Sequence, residues 1–479
     1  MKLRKILISV LLVVAMLSST LMLFSCNKNK VAPDFVMPEN GFDTSKEVTI
    51  TFYHTMGSNL RDVLDYYITE FNKLYPNIKI VHEQVGSYDD VRKTISTEIT
   101  VGNQPNIAYC YPDHVALYNM SLAVQTLDVL IDADKTVKDA LGNETVIGLT
   151  QAQKEDFIKG YYDEGKQFGD GKMYTLPLSK STEVLYYNKT FFEKHNLEVP
   201  KTWDELEQLC ADIKKIDPDC IPLGYDSESN WFITMCEQLG SDYTTATGEN
   251  NFLFNNKTNR DFVAKFRDWY KKGYVTTQEI SGGYTSELFT MKETDKGNSY
   301  MSIGSSAGAT HQRPEKVNGA YPFDVGIATI PQMNAENPKV ISQGPSLCIF
   351  KKADPQEVLA SWLFVKYLTT TVEFQAEFSM ASGYVPVIKS VTSHPEYAKF
   401  LDKADGGDRI AALSAKICLD QQEAYYTSPA FNGSSVARDQ VGYLIQTCLV
   451  ADWKDAEVAA KIEAEFAKAV KECNYQIGK

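Results

Sequence analysis

The sequence predicts an α/β protein built as two domains or as one large bilobal unit. Three observations support this prediction. The chain has 479 residues, and a single hydrophobic core stops growing at roughly 250–300 residues. Residues 48–111 alternate between short runs of β-branched and aromatic residues and longer amphipathic segments, which is typical of strand–helix–strand units. A second series of strand and helix patterns begins at Val184.

The first part of the chain predicts a parallel sheet with a cleft at one edge. The predicted elements are strands at 48–54, 78–81 and 106–111, and helices at 59–74 and 88–101. This order favours right-handed crossovers, and ligands of such sheets bind at the carboxyl ends of the strands. We therefore expect residues 54–58, 86–88 and 111–114 at the mouth of the cleft.

The second series starts with an extended run at 173–177 and a polar link at 178–183. Residues 184–188 predict a buried strand and 189–196 a short helix. Thr202 is expected to cap the next helix, with Glu205 reaching back from the third position. The later predicted elements are a helix at 259–272, strands at 299–303, 323–330 and 347–350, a helix at 356–368, and a largely helical segment at 389–479.

Composition and charge exclude several classes of partner. The formal charge is −14, and the basic residues form no cluster. An acidic chain without a basic run argues against binding to nucleic acid or to anionic lipid. Six scattered histidines and nine cysteines without a CxxC pair favour neither a metal site nor a cofactor.

The N-terminus predicts export. Lys2, Arg4 and Lys5 precede an apolar run at 6–24, and Ser25–Cys26 closes it before a polar stretch. This pattern indicates a signal peptide ending in a lipobox, with Cys26 lipidated. The alternative is an uncleaved membrane anchor, since 19 apolar residues nearly span a bilayer.

One short motif raises the possibility of an enzyme. Residues 304–308 read GSSAG, the pattern of a serine hydrolase elbow with Ser306 as the nucleophile. Only His311 and His394 follow it in the chain, and neither fits the order that a hydrolase triad requires. The alternative use of these small residues is close backbone approach to a bound anion or hydroxyl. The chain also carries aromatic residues near the predicted cleft, including Tyr88, Trp231 and Tyr384, whose rings could stack on a sugar or polyol.

Six segments spread along the chain carry a family likeness. They are FYHTM at 52–56, FNKLYPNIKI at 71–80, GNQP at 102–105, LYYNK at 185–189, PKTWDEL at 200–206 and SGYVP at 382–386. Together they resemble the extracellular solute-binding proteins (family 1) of ATP-driven importers, and most of all their glycerol-3-phosphate-binding type. The resemblance implies the two-lobed periplasmic-binding-protein fold, with a mainly parallel sheet in each lobe and three crossings between the lobes.

The resemblance also implies a division of the chain. Residues 1–26 would be the signal peptide with its lipobox and 27–46 a tether. Lobe I would comprise 47–178 and 347–381, and lobe II 182–343 and 385–479.

The resemblance further implies the residues that contact the ligand. The matching positions are Tyr88, Ser181, Ser305, Gly344, Tyr384 and Arg438. A seventh position, a glutamate in the family, is Pro112 here, and we expect Asp113 beside it to accept ligand hydroxyls instead. The ligand would be glycerol 3-phosphate, a glycerophosphodiester or a sugar.

The implied role is transport without catalysis. The protein would be a monomer that hands its ligand to ABC permease subunits, exported and lipid-anchored on the outer face of the membrane. No cofactor is implied.

Overall fold

Two β-sheets organise the two lobes of the chain. The structure is a computed structural model that describes residues 32–291 and 298–479. Cys26 and the predicted signal peptide lie outside these residues. None of the helices within them is long and apolar enough to span a membrane.

The strands are numbered in chain order. They are β1 (Val48–His54), β2 (Ile78–Gln84), β3 (Ile107–Cys110), β4 (Thr136–Lys138), β5 (Glu144–Val146), β6 (Leu176–Pro177), β7 (Ser181–Asn188), β8 (Leu223–Tyr225), β9 (Val275–Thr277), β10 (Met301–Ser305), β11 (Val325–Thr329), β12 (Val340–Gln343), β13 (Ser346–Ile349) and β14 (Tyr425–Tyr426).

The α-helices are numbered in the same way. They are α1 (Ser58–Leu74), α2 (Tyr88–Val101), α3 (Pro112–Asn119), α4 (Asp128–Ile131), α5 (Gln151–Asp156), α6 (Lys159–Asp163), α7 (Lys189–His195), α8 (Trp203–Ile216), α9 (Glu228–Leu239), α10 (Lys257–Lys271), α11 (Gln278–Ser281), α12 (Ser286–Phe289), α13 (Pro355–Thr370), α14 (Val372–Ser382), α15 (Pro395–Asp402), α16 (Ile410–Asp420), α17 (Ser434–Val450) and α18 (Val458–Gln476).

Local signals in the sequence explain several of these bounds. Ser87 caps α2 in a capping box with Asp90, and Gly102 ends the helix in the left-handed conformation. Thr202 and Glu205 form the predicted capping box at the start of α8. The predicted strands and helices of residues 48–111 are therefore confirmed to within a few residues.

The first sheet has the strand order β2–β1–β3–β13–β6. The second has the order β14–β12–β7–β10–β8–β9, and β11 also pairs with β7. The predicted α/β fold with helix-flanked sheets is confirmed, and each sheet contains antiparallel pairs beside the predicted parallel ones. In the first, β1 pairs in parallel with β2 and β3, whereas β13 runs antiparallel to β3 and β6. In the second, β7 runs antiparallel to β10, β11 and β12.

The physical reason lies in how the chain enters each sheet. A parallel neighbour requires a long crossover, usually a helix. β7 and β13 instead come directly from the other lobe through short links, so each enters against the direction of a neighbouring strand. The predicted polar link at 178–183 is also shorter than expected, since its last three residues already belong to β7.

The lobes share a continuous apolar core. One hydrophobic cluster includes Phe52 of the first sheet, Tyr186 of the second, and Leu178 and Val385 between them. A second cluster lies where α17 and α18 pack against α9 and α10. The predicted domain boundaries remain a prediction.

Three chain segments meet between the lobes. Lys180 and Val385 exchange backbone hydrogen bonds of 3.1 and 2.7 Å. Gly344 adopts φ +94°, and a Cβ there would lie 2.6 Å from the Ser179 carbonyl oxygen. This close approach, together with the positive φ, explains why the position holds glycine.

Lys180 ties these segments to lobe I. Its ammonium group forms an ion pair with Glu164 and donates to the Ser346 hydroxyl at 3.1 Å and to the Gly344 carbonyl oxygen at 3.3 Å. The side chains of Lys180 and Glu164 are 0% and 4% exposed. A buried pair with several hydrogen bonds holds the three segments in one arrangement.

All eight cysteines of the described residues are free thiols buried inside the protein. Burial raises the pKa of the Cys418 thiol to about 11 and raises the pKa of Cys110 and Cys236 as well. These cysteines therefore act as small apolar core residues.

Candidate functional site

A cavity of about 320 Å³ lies between the lobes, bordered by the first turns of three helices. The first turns of α2, α3 and α17 reach it, together with the end of β12 and the loop that follows β14. Its lining includes Tyr88, Asp89, Arg92, Tyr111, Pro112, Asp113, His114, Glu164, Asn230, Tyr243, Ser342, Ser434, Ser435, Arg438 and Asp439. Backbone N–H groups at helix N-termini favour negative charge, so this arrangement suits a ligand with an anionic group.

Stacked tyrosines form one wall. The ring of Tyr88 lies 4.3 Å from that of Tyr111 and 5.5 Å from that of Tyr109. Tyr384 is close enough to influence both Tyr88 and Tyr109. Burial raises the pKa of Tyr88 and Tyr384, so both hydroxyls stay neutral, and Tyr88, which lines the cavity, can donate to a ligand.

Asp113 forms a second wall. Its carboxylate accepts a hydrogen bond of 2.9 Å from the Ser435 hydroxyl of the facing helix α17. Burial alone would raise the pKa of Asp113, but His114, Arg438, the Ser435 hydrogen bond and Arg92 outweigh it and lower the pKa. The carboxylate is therefore ionised and available to accept hydroxyl hydrogens.

Arg438 is held by a chain of hydrogen bonds across lobe II. Its guanidinium donates to Oδ1 of Asn230 at 2.5 Å. The amide nitrogen of Asn230 donates to Oε1 of Glu183 at 3.2 Å, and the Tyr225 hydroxyl donates to Oε2 of Glu183 at 2.7 Å. Burial, only partly offset by these hydrogen bonds and by Arg438, raises the pKa of Glu183 to about 7.

A second cavity of about 630 Å³ continues the first along the cleft. The two share Tyr111, Asn230 and Gln343 in their linings. The second is rich in hydrogen-bond acceptors: Glu183, Asp226 and Glu287 line it, as do Gln278 and Gln312. The cleft thus has one compartment at Arg438 and another with mainly acidic walls.

Several buried polar atoms in these walls have no hydrogen-bond partner in the described residues. They are Nδ1 of His114, the Tyr243 hydroxyl and the Ser342 hydroxyl in the first compartment, and Oε1 of Gln312 in the second. Native proteins rarely leave such atoms unpaired. These atoms are available to a polar ligand in the cleft.

The predicted site residues fall into three groups. Tyr88, Asp113 and Arg438 line the first compartment, and Ser305 lines the second. Ser181 lies beneath Ser305, with their hydroxyl oxygens 3.5 Å apart, and Gly344 and Tyr384 belong to the segments between the lobes.

Trp231 is the third group, and the expectation that it lines the cleft is wrong. Its side chain is 0% exposed and stacks on Phe266 at 3.7 Å and Tyr225 at 5.0 Å. On a helix, consecutive side chains point about 100° apart. Asn230 faces the cleft, so its neighbour Trp231 turns into the core.

The expected cleft-mouth position of residues 54–58 is also not found. None of them lines either compartment. The His54 ring turns toward β2, with one nitrogen 2.9 Å from Nδ1 of His82 and the other accepting from the Met56 N–H at 3.1 Å. The loops at 86–88 and 111–114, by contrast, contribute Tyr88 and Tyr111 to the site.

The GSSAG segment has a structural use. The Ser306 side chain is buried and its hydroxyl oxygen accepts a 3.1 Å hydrogen bond from the Thr182 N–H. Its carbonyl oxygen accepts from the Ser414 hydroxyl at 3.0 Å. Ser306 thus fastens β7 and α16 to β10, and nothing in this geometry supports the hydrolase alternative.

Several lining residues carry no recognisable signal in the sequence. Asn230 and Tyr243 sit in segments without a motif, and Glu183 was placed in the polar link without a role. Ser435 could have been found from its position three residues before Arg438, which places both on one face of a helix. No group of three or more histidine, cysteine or acidic side chains within residues 32–291 and 298–479 could hold a metal ion.

A family model described as bacterial extracellular solute-binding protein matches residues 66–402. The chain belongs to this family. Among curated relatives of this solute-binding protein, the sn-glycerol-3-phosphate-binding periplasmic protein UgpB of Escherichia coli (strain K12) is 27% identical over 379 residues. That alignment spans 75% of the chain and 79% of the relative.

Solved structures share the fold of this solute-binding protein. UgpB from Mycobacterium tuberculosis in complex with glycerophosphocholine superposes with a TM-score of 0.67 and 15% identity, covering 89% of this chain and 99% of that one. The cyclic alpha-maltosyl-1,6-maltose binding protein from Arthrobacter globiformis gives a TM-score of 0.66 and 18% identity, covering 89% and 100%. These likenesses confirm the two-lobed fold of the solute-binding protein.

Proposed function

We propose that the protein captures a small polar solute bearing a phosphate group in the interlobe cleft and delivers it to the permease of an ABC importer. The observation that carries this proposal is the first compartment itself. There Arg438, three helix N-termini and unpartnered polar atoms of His114, Tyr243 and Ser342 surround one cavity. Glycerol 3-phosphate and glycerophosphodiesters are the ligand class, in keeping with the relatives named UgpB.

Arg438 is the main anion contact in this proposal. A guanidinium can hold a phosphate through two parallel hydrogen bonds. Arg438 lies in the second turn of α17, whose N-cap Gly433 offers no side-chain cap, so the helix N-terminus is open to the ligand. The Ser435 hydroxyl lies on the same face and can contribute a further hydrogen bond.

Acidic residues of the compartment contribute to specificity by accepting hydrogen bonds from ligand hydroxyls. Asp89, Asp113, Asp439 and Glu164 line it with Arg438. Asp89 is paired with Arg92, Glu164 is paired with Lys180, and burial raises the pKa of Asp439. Asp113 remains as an acceptor for glycerol hydroxyls. It takes the role of the family glutamate that Pro112 replaces, because Pro112 opens α3 and presents Asp113 to the cavity.

A neutral oligosaccharide is the second candidate ligand. The acceptor-rich walls of the second compartment favour it, since Glu183, Asp226 and Gln312 can accept sugar hydroxyl hydrogens. The tyrosine stack around Tyr88 could support a sugar ring. One of the structural neighbours is a maltose-type binding protein.

Calorimetry on Arg438→Ala separates the two ligand classes. A hydrogen bond to a charged group contributes about 1.5–3 kcal/mol, so the substitution should weaken glycerophosphocholine binding by about 10- to 100-fold. Binding of maltose should change much less. Arg260→Ala is the matched control, because Arg260 lies on α10 near Glu463 and outside both compartments. Tight maltose binding without any response to glycerol phosphates would reject the phosphate class.

The protein should bind without turnover. A ligand that binds only the folded state raises its stability by RT ln(1 + [L]/Kd). We expect the melting temperature to rise with ligand while the ligand is recovered unchanged. Recovery of a hydrolysed product that disappears in Ser306→Ala would instead support the hydrolase.

We also propose that Cys26 carries the lipid anchor. Cys26→Ser should leave an uncleaved precursor that does not label with fatty acid. Wild-type protein recovered with its first 25 residues and without lipid would contradict the anchor.

A further inference from the structure

Glu183 is a buried carboxylate between the two compartments of the cleft. It lies near the start of β7, is 1% exposed and lines the second compartment. Its two oxygens accept from Asn230 and Tyr225, and it forms no ion pair within the described parts of the chain. A buried carboxylate with neutral donors and no direct cation is costly to keep charged.

Asn230 connects this carboxylate to Arg438. Its amide nitrogen faces Glu183 and its amide oxygen faces the guanidinium. The amide can satisfy both partners in only this orientation, because a carboxylate accepts and a guanidinium donates. Glu183 therefore positions Arg438 through Asn230 and is its nearest acid along this chain of hydrogen bonds.

We infer that Glu183 is the counter-charge of Arg438 in the empty cleft and takes up a proton from solvent when an anion binds there. The inference rests on the proposed anionic ligand. An anion bound to Arg438 adds negative charge close to the Glu183 carboxylate. It also neutralises the guanidinium, which then stabilises the charge of Glu183 less. Both changes favour the neutral acid, whose carbonyl oxygen Oε1 can still accept from Asn230 while its new hydroxyl donates to the Tyr225 hydroxyl oxygen.

Other groups around Glu183 also affect the balance between its ionised and its neutral form. Asp226, at the end of β8 and held by Thr285, disfavours the ionised form, and Arg438 favours it. Tyr225 and Tyr426 approach from β8 and β14 as neutral groups, and Gln421 after α16 donates to the Glu183 backbone oxygen at 3.5 Å. Asp113 and His114 interact with Arg438 from α3, and Asp439 does so from the next position of α17.

The sign of the linkage follows. A bound anion raises the pKa of Glu183 above the value of about 7 that it has in the protein without ligand. Between the free and the bound pKa, binding takes up a proton, so affinity for the anion increases as the pH falls. If binding raises the pKa of Glu183 by one unit, the affinity well below both pKa values is about tenfold higher than the affinity well above them.

Calorimetry with glycerophosphocholine tests the coupling, because a phosphodiester keeps its single negative charge over this pH range. Titrations at pH 6 to 8, in buffers with different ionisation enthalpies, report the protons taken up. Wild-type protein should take up part of one proton near pH 7, and with a pKa that rises by one unit on binding it should bind about fivefold more tightly at pH 6 than at pH 8. Glu183→Gln preserves the shape and the hydrogen bond from Asn230, and its amide nitrogen can donate to the Tyr225 hydroxyl oxygen. This variant should bind with no proton uptake and a flat pH profile.

The matched control is Glu237→Gln, an acid-to-amide change on α9 outside both compartments. It should behave as wild type. Proton uptake that persists in Glu183→Gln, or a wild-type affinity independent of pH, would overturn the inference.

A measurement without ligand separates this inference from the proposed function. Infrared titration of the empty protein should show a carboxylic acid band that disappears with a midpoint near pH 7 and is missing in Glu183→Gln. A midpoint near the ordinary glutamate value would overturn the inference. Absence of glycerophosphocholine binding at every pH would refute the phosphodiester ligand instead.

Discussion

Replacing Lys180 by methionine is expected to destabilise the fold strongly. The ammonium group contacts Glu164, Ser346 and the Gly344 carbonyl oxygen. Methionine fills much of the same space but offers no donor. The substitution therefore leaves the Glu164 carboxylate buried and uncompensated.

The magnitude follows from the burial of the pair. Breaking a buried ion pair by removing one partner costs about 3–5 kcal/mol, a large part of the roughly 5–15 kcal/mol that stabilises a typical protein. Lys180→Met with Glu164→Gln removes the stranded charge, so the double variant should cost clearly less than Lys180→Met alone. The exposed pair of Lys257 and Asp261, with side chains 81% and 62% exposed, is the control, and Lys257→Met should cost less than about 0.5 kcal/mol.

Urea unfolding of the four proteins measures these differences. We expect the midpoint to fall sharply for Lys180→Met and to recover in the double variant. Far-UV circular dichroism before unfolding checks that each variant folds. A loss below about 1 kcal/mol for Lys180→Met, or a double variant less stable than the single one, would refute the argument from the stranded charge.

Three further outcomes are expected. Gly344→Ala should lower the unfolding free energy by about 1–3 kcal/mol, because φ is +94° and the new Cβ meets the Ser179 carbonyl oxygen. Gly160→Ala, where the space is open, should leave the unfolding free energy nearly unchanged. Equal losses of stability in the two variants would contradict the role of Gly344. Thr202→Ala should cost about 1 kcal/mol in thermal or urea unfolding through loss of the capping box at α8, and an unchanged midpoint would argue against it. Saturating glycerophosphocholine should reduce the radius of gyration in solution scattering through hinge closure, and an unchanged radius would speak against closure.

The sequence predicted those parts of the fold that depend on local patterns. The alternation in residues 48–111 placed β1, α1, β2 and α2 to within a few residues, because amphipathic spacing and caps act over short distances. Sheet direction could not be derived in the same way. It depends on where a strand enters from, and β7 and β13 enter from the opposite lobe.

The site shows a similar limit. The family resemblance marks the positions of Tyr88 and Arg438, and Asp113 is predicted from its place beside the departure at Pro112; all three line one cavity. Trp231 was placed wrongly because an aromatic residue near a predicted loop does not reveal which helix face it occupies. Asn230 and Glu183 were missed as cleft residues because their role arises from contacts between segments 47 residues apart, and no local pattern records such contacts.

The burial of all eight cysteines from Cys110 to Cys473 gives the described surface a practical property. Thiol-reactive dyes should leave the native protein unlabelled over these residues, since neither access nor thiolate is available. A cysteine introduced at Tyr284, which is 62% exposed at the rim of the second compartment, would then be labelled selectively. A fluorophore attached there would report on ligand capture in real time. Because residues 32–291 and 298–479 expose no thiol, this part of the chain could serve as a reagentless sensor of its own solute.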